Sequence, residues 1–256
     1  MESVLKKLIN RMNAILEARD LVKQFGEFRA IDSVDLLLEE GQFHGLVGPN
    51  GSGKSTLLKC VSGALIPTQG QILFNNKEIT KEPPENRSRI GISMKFQITS
   101  IFPVLSVYDN ILLSLQSHQD PLSLARSTTR AGFHETVMDT LHRFNLSDRT
   151  DDPAEVLSHG QQQWLEIAMA LASEPSLLLL DEPTAGMSLE ERRKTGELLE
   201  PLRKECSLLI VEHDLDFIRD ICDVLTVLDQ GIVVETGNIE TIQKSERVKK
   251  VYLSRV

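Results

Sequence analysis

The run Gly48-Pro49-Asn50-Gly51-Ser52-Gly53-Lys54-Ser55-Thr56 constrains this chain more than any other feature. It satisfies G-x-x-x-x-G-K-[ST] and lies between a short apolar run, Phe43–Val47, and a helical pattern beginning at Gly53. Glycine lets the backbone curl so that successive N–H groups converge on an anion. The following helix adds the partial positive charge of its N-terminus. Lys54 is placed to reach β- and γ-phosphates, and Ser55 offers a hydroxyl to Mg²⁺. The motif predicts a nucleotide site on an α/β fold.

The rest of the chain supports that class. Near-continuous apolar runs at 177–180, 208–211 and 225–228 read as strands buried on both faces of a parallel sheet. Helical patterns at 161–173, 189–204 and 215–221 separate them, the alternation of an α/β fold. Earlier strands are expected at 15–21 and 31–38, with short ones at 71–74 and 91–94. Residues 98–160 break the alternation and read as an inserted helical subdomain. Val4, Leu5, Leu8, Ile9 and Met12 share one helical face, which reads as a packing helix or a frayed tail, with a membrane-surface helix as the alternative.

Three strand ends carry chemistry. Leu177-Leu178-Leu179-Leu180 leads into Asp181 and Glu182, putting two carboxylates where open parallel sheets bind ligands. Asp181 fits the carboxylate that holds Mg²⁺, and Glu182 the general base that polarises water. His213 ends another apolar run, at the same sheet edge, in place for a γ-phosphate contact. Gln97 follows a fourth strand.

A second phosphate cradle is then written into Leu157-Ser158-His159-Gly160-Gln161, which opens a helix 23 residues before Asp181 (181 − 158). Either this helix N-terminus serves a second chain, or Ser158 and Gly160 simply cap the helix.

Composition excludes several classes. A 41% hydrophobic and 25% charged chain of 256 residues is neither disordered nor fibrous. No apolar run approaches the length of a membrane helix, and the N-terminus lacks a secretory apolar core. Three scattered cysteines make no disulfide framework and indicate a reducing compartment. A net charge of −9 argues against nucleic acid as the partner.

The ordered set, GPNGSGKST, Gln97, LSHGQ, LLLLDEP and EHD, resembles the ATP-binding-cassette (ABC) ATPases from Ala14 onward. The resemblance implies a P-loop NTPase fold with an N-terminal antiparallel β subdomain, a RecA-like parallel-sheet core and an inserted α-helical subdomain. Residues 1–13 would be an extension and 14–256 the ATPase domain. It implies ATP and Mg²⁺ as cofactors, with Phe25 stacking on adenine. Gln97 would link the Mg²⁺ site to a membrane partner, and His213 would act as the switch histidine. Ser158, Gly160 and Gln161 would close over the nucleotide of a second subunit.

His159 stands where the family has the first signature glycine, and Ser188 where it has an aspartate. Both, with FQITSIFPVLSVYDNI and DEPTAGM, are similar to the importer branch for branched-chain amino acids, urea and short amides. That branch implies two permease subunits, a second ATPase subunit and a periplasmic or extracellular solute-binding protein. It places the chain on the cytoplasmic face of the inner membrane. Ile98, Ile101, Phe102 and Leu105 are the expected docking surface for a permease, the alternative being that they pack inside the helical subdomain. The alternative is a non-transport ABC ATPase of nucleic-acid repair or translation.

Overall fold

The computed structural model describes residues 13–95, 100–117 and 129–253. The N-terminal face of Val4, Leu5, Leu8, Ile9 and Met12 lies outside the described residues, as do Gln97 and Ile98.

Strands β1 (Ala14–Phe25) and β2 (Phe28–Glu39) make a long antiparallel hairpin. β4 (Gln69–Phe74) and β5 (Lys77–Glu78) extend it to a four-stranded sheet in the order β2-β1-β4-β5. The second sheet contains β3 (Phe43–Val47), β6 (Ile92–Lys95), β7 (Leu177–Asp181), β8 (Ser207–Val211), β9 (Val224–Asp229) and β10 (Ile232–Gly237). Its order is β10-β9-β3-β8-β7-β6, parallel except for the β9–β10 hairpin.

The continuous apolar runs have a geometric cause. Successive side chains of a strand point to opposite faces. Leu178 and Leu180 enter one core, with the helical part of the molecule. Leu177 and Leu179 enter the other, with α1 (Lys54–Ser62) and the antiparallel sheet. Both faces of β7 are therefore dry, and no polar alternation survives.

The inserted segment supplies α3 (Val107–Ser117) and α4 (Thr129–Arg143). Val107, Ile111, Val137 and Leu141 pack them against Leu165 of α5 (His159–Leu171). Arg143 clamps Glu205 with two bonds of 2.8 Å, tying α4 to the turn before β8. The pair is partly exposed, so packing rather than charge dominates this joint.

Some elements carry no sequence signal. The short helix α2 (Pro84–Arg89) has no apolar stripe, and β10 is a half-buried edge strand. Arg87 of α2 is nevertheless 1% exposed. Its guanidinium donates to the carbonyls of Cys60, Val61, Thr80 and Glu82 at 2.7–3.0 Å. Burial pulls its pKa down to about 10. The cation closes the C-terminus of α1, where orphan carbonyls and the helix dipole favour positive charge.

Candidate nucleotide site

All five parallel strands end at one edge of the sheet, because β6, β7, β8, β3 and β9 run the same way. That edge receives the phosphate loop from β3, Asp181 and Glu182 from β7, and Glu212 and His213 from β8.

Two glycines let the phosphate loop fold tightly. Gly48 has φ 145°, and a Cβ there would sit 2.1 Å from the Leu228 carbonyl. Gly53 has φ 105°, and a Cβ would meet the Ala30 carbonyl at 2.5 Å. Pro49, Asn50 and Gly51 form the outer curve, while Ser52 is buried beneath it with no hydrogen-bond partner for its hydroxyl. An orphaned buried hydroxyl costs free energy unless a ligand meets it, so the loop suits an anion. Lys54 reaches back over the loop and donates to the carbonyls of Gly48 and Pro49 at 2.8 and 2.9 Å. Burial pulls its pKa down, opposed by the charges of Glu182 and Asp181. Thr56 follows in the first turn of α1.

Ser55 donates its hydroxyl to Asp181 at 3.3 Å. Burial pushes the Asp181 carboxyl up, and the Ser55 hydrogen bond opposes this. Two hard oxygens at that separation are donors of the kind Mg²⁺ takes, so Ser55 and Asp181 would hold such an ion together with water and phosphate. Among the described residues no group of three or more His, Cys, Asp and Glu could hold a metal without such help.

Glu182 occupies the left-handed region, φ 50°, an uncommon place for this residue type. Its N–H donates to Val211 of β8 at 2.9 Å, which holds the turn. Its carboxylate accepts a 2.6 Å bond from the His213 ring. Sequence reasoning missed the group beneath them. Glu212 is buried and accepts from the Thr184 N–H at 2.8 Å, the Thr184 hydroxyl at 2.5 Å and the His213 N–H at 3.0 Å. One carboxylate thus fastens both turns. In the string Glu-His-Asp nothing marks which acidic residue faces inward.

Phe25 and Phe28 pair across the β1–β2 turn, both exposed, with the Lys23 ammonium 5.0 Å from the Phe25 ring centre. Ala30, two residues beyond Phe28, touches Gly53, which brings this aromatic turn beside the phosphate loop.

Ser158 caps α5. Its hydroxyl accepts from the Gln161 N–H at 3.2 Å, and the Gln161 side chain accepts from the Ser158 N–H at 3.0 Å. The two departures from the family pattern meet here. His159 bonds the Ala185 carbonyl at 2.9 Å. A Cβ on Gly160 would sit 2.5 Å from Glu191. Glu191 in turn completes a capping box with Ser188 at the start of α6 (Leu189–Leu199). Ser188 is therefore a helix cap, a task that serine performs well.

Known proteins extend the geometry. A family model described as ABC transporter matches residues 31–185. The branched-chain amino acid transport ATP-binding protein BraF of Pseudomonas aeruginosa is 32% identical over 93% of this chain and 97% of its own. The lipopolysaccharide export ATP-binding protein LptB of Haemophilus influenzae is also 32% identical, over 94% of this chain and 97% of its own. A solved nucleotide-free ATP-binding cassette from an ABC transporter superposes with a TM-score of 0.83 at 30% identity, covering 93% of this chain and 98% of that one. The chain belongs to the ABC transporter family, as an ATP-binding subunit whose hydrolysis of ATP is coupled to transport.

Proposed function

We propose that this subunit powers an importer of branched-chain amino acids or of the related small amides, urea among them. The observation that carries the reading is the near-full-length similarity to branched-chain amino acid cassettes. An export cassette is equally similar, because the cassette chemistry does not select the cargo. The FQITSIFPVLSVYDNI and DEPTAGM stretches favour the importer branch.

In this reading the residues divide the work. Residues 48–56 and Lys54 bind the triphosphate, and Phe25 stacks on adenine. Ser55, Asp181 and Gln97 hold Mg²⁺, which supplies positive charge against the phosphate oxygens. Glu182 takes the proton of the attacking water, and His213 orients that carboxylate and contacts the γ-phosphate. Ser158, Gly160 and Gln161 close on the nucleotide of a second ATPase subunit, identical or different. Closure then moves two permease subunits through the helices of 98–160, and a periplasmic or extracellular binding protein delivers the solute. The chain works on the cytoplasmic face of the membrane and binds no nucleic acid.

Disrupting the gene in its native host and measuring uptake of radiolabelled leucine and urea tests the cargo. Loss of either uptake, restored by the wild-type chain but not by Lys54→Ala, supports the reading. Unchanged uptake of both removes it.

A further inference from the structure

Outside the residues given roles above, one buried carboxylate joins three parts of the molecule. Glu166 lies on α5, about two turns beyond the Ser158 cap. One of its oxygens is 3.5 Å from the Lys95 ammonium, and the two side chains are 3% and 1% exposed. Lys95 ends β6 and pairs with Leu180 in the ladder, one residue before Asp181. The other Glu166 oxygen accepts the backbone N–H of Ser100, where the inserted segment begins. The core strand, the start of the insertion and the signature helix thus meet on one side chain.

Leu165, Ile167 and Ala168 seat α5 in the core, but packing around the clasp itself is incomplete on one side. A cavity of about 210 Å³ lies against the pair, bounded by Met94, Ser114, Met169 and Ala170. On that side the ion pair, and not a filled apolar core, links α5 to β6. The charges reach both ends of the machinery. Glu166 feels His159 of the signature, and Lys95 feels Asp181 and Glu212 at the sheet edge. Breaking a buried pair from one side leaves an uncompensated charge, whereas replacing both partners by apolar groups is often tolerated.

We propose that Glu166 is a positioning residue for ATP hydrolysis. Through Lys95 and Ser100 it sets how the signature helix and the inserted helices sit against the edge bearing Asp181 and Glu182. The inference needs the ATPase activity alone and is independent of the cargo.

The test uses the chain purified with its membrane partners and compares Glu166→Gln, Lys95→Met and the double variant Lys95→Met/Glu166→Leu. Tm, KM for ATP and kcat are measured for each. Lys54, Ser55 and Asp181 are untouched, so KM should stay within about threefold of wild type. Misplacement of the joint should lower kcat by about 10- to 100-fold. The double variant separates positioning from stability, since it removes the unpaired charge. A double variant with restored Tm and KM but depressed kcat supports the proposal. A double variant that recovers kcat together with Tm, or any single variant that folds and turns over normally, overturns it. If a single variant does not fold, the double variant alone decides on the same two outcomes. Loss of uptake of one solute with ATPase kinetics unchanged would bear on the cargo and count against this proposal.

Discussion

Glu182 and His213 come from different strands, β7 and β8, yet their side chains lie 2.6 Å apart. The contact exists because Asp181 and Val211 are register partners, so the residues beyond them leave the sheet side by side. Glu212 then pins both turns from beneath. Glu182 is thus held in a left-handed turn against the His213 ring, and Glu212 fastens the residues on either side of that contact, Thr184 and the His213 backbone.

Replacing Lys54 by alanine removes the cation that spans the phosphate loop. A hydrogen bond to a charged group is worth about 1.5–3 kcal/mol, or roughly 10- to 150-fold in affinity. Fluorescence titration with a labelled ATP analogue should show weakening in that range, and turnover should vanish. Wild-type turnover would remove the phosphate-loop assignment.

Glu182→Gln keeps the shape of the side chain but not its basicity. Hydrolysis should fall by about 10²–10⁴-fold while ATP still binds. The undischarged nucleotide should trap a closed dimer, visible by size-exclusion chromatography, when the partner ATPase is co-expressed. Adding Ser158→Arg, which places bulk at the cap of α5, should dissolve that dimer without weakening ATP binding to the single chain. A dimer that survives Ser158→Arg means the signature does not face a second subunit.

Phe102 is 50% exposed, although it sits among apolar neighbours in sequence. Asn110 explains its placement. Its buried amide accepts from the Phe102 N–H at 2.7 Å and donates to the Phe102 carbonyl at 3.1 Å, anchoring the backbone while the ring stays outside. Ile101 and Leu105 are half-buried instead. Phe102→Asp should release the subunit from its permease in a pull-down while basal ATPase activity stays measurable. Retention of the complex shows that the permease docks elsewhere.

His44 is fully buried on β3 and hydrogen-bonded to the Thr226 hydroxyl at 2.8 Å. Burial lowers its pKa to about 4 from the ordinary 6.5. Between those values the unfolded chain binds a proton that the folded chain refuses. Stability from this group is complete above about pH 6.5 and falls as pH drops toward 4, by about 3 kcal/mol in total. Urea unfolding at several pH values across this window should give a steeper acid limb for wild type than for His44→Gln. Equal slopes would show that His44 does not titrate on unfolding.

Much of this was legible in the amino-acid sequence. The phosphate loop, the carboxylates after Leu180 and the capping serine of α5 are local patterns, because backbone curl, strand-end polarity and helix capping depend on neighbouring residues. The apolar runs also announced a parallel sheet covered on both faces. Tertiary structure alone decided which polar residues turn inward. Lys95, Glu166, Arg87 and Glu212 look like ordinary surface charges in sequence, since burial of a charge depends on a partner that arrives from a distant element. Glu212 is buried because Thr184, 28 residues earlier, presents an N–H and a hydroxyl to it. Arg87 is buried because the end of α1 needs donors for its carbonyls. His159 and Ser188 read as departures from a pattern in sequence, and only folding shows that His159 bonds the Ala185 carbonyl while Ser188 caps α6 with Glu191, the residue beside Gly160. Local chemistry is written in order along the chain, whereas the pairing of buried charges is a property of which strands become neighbours.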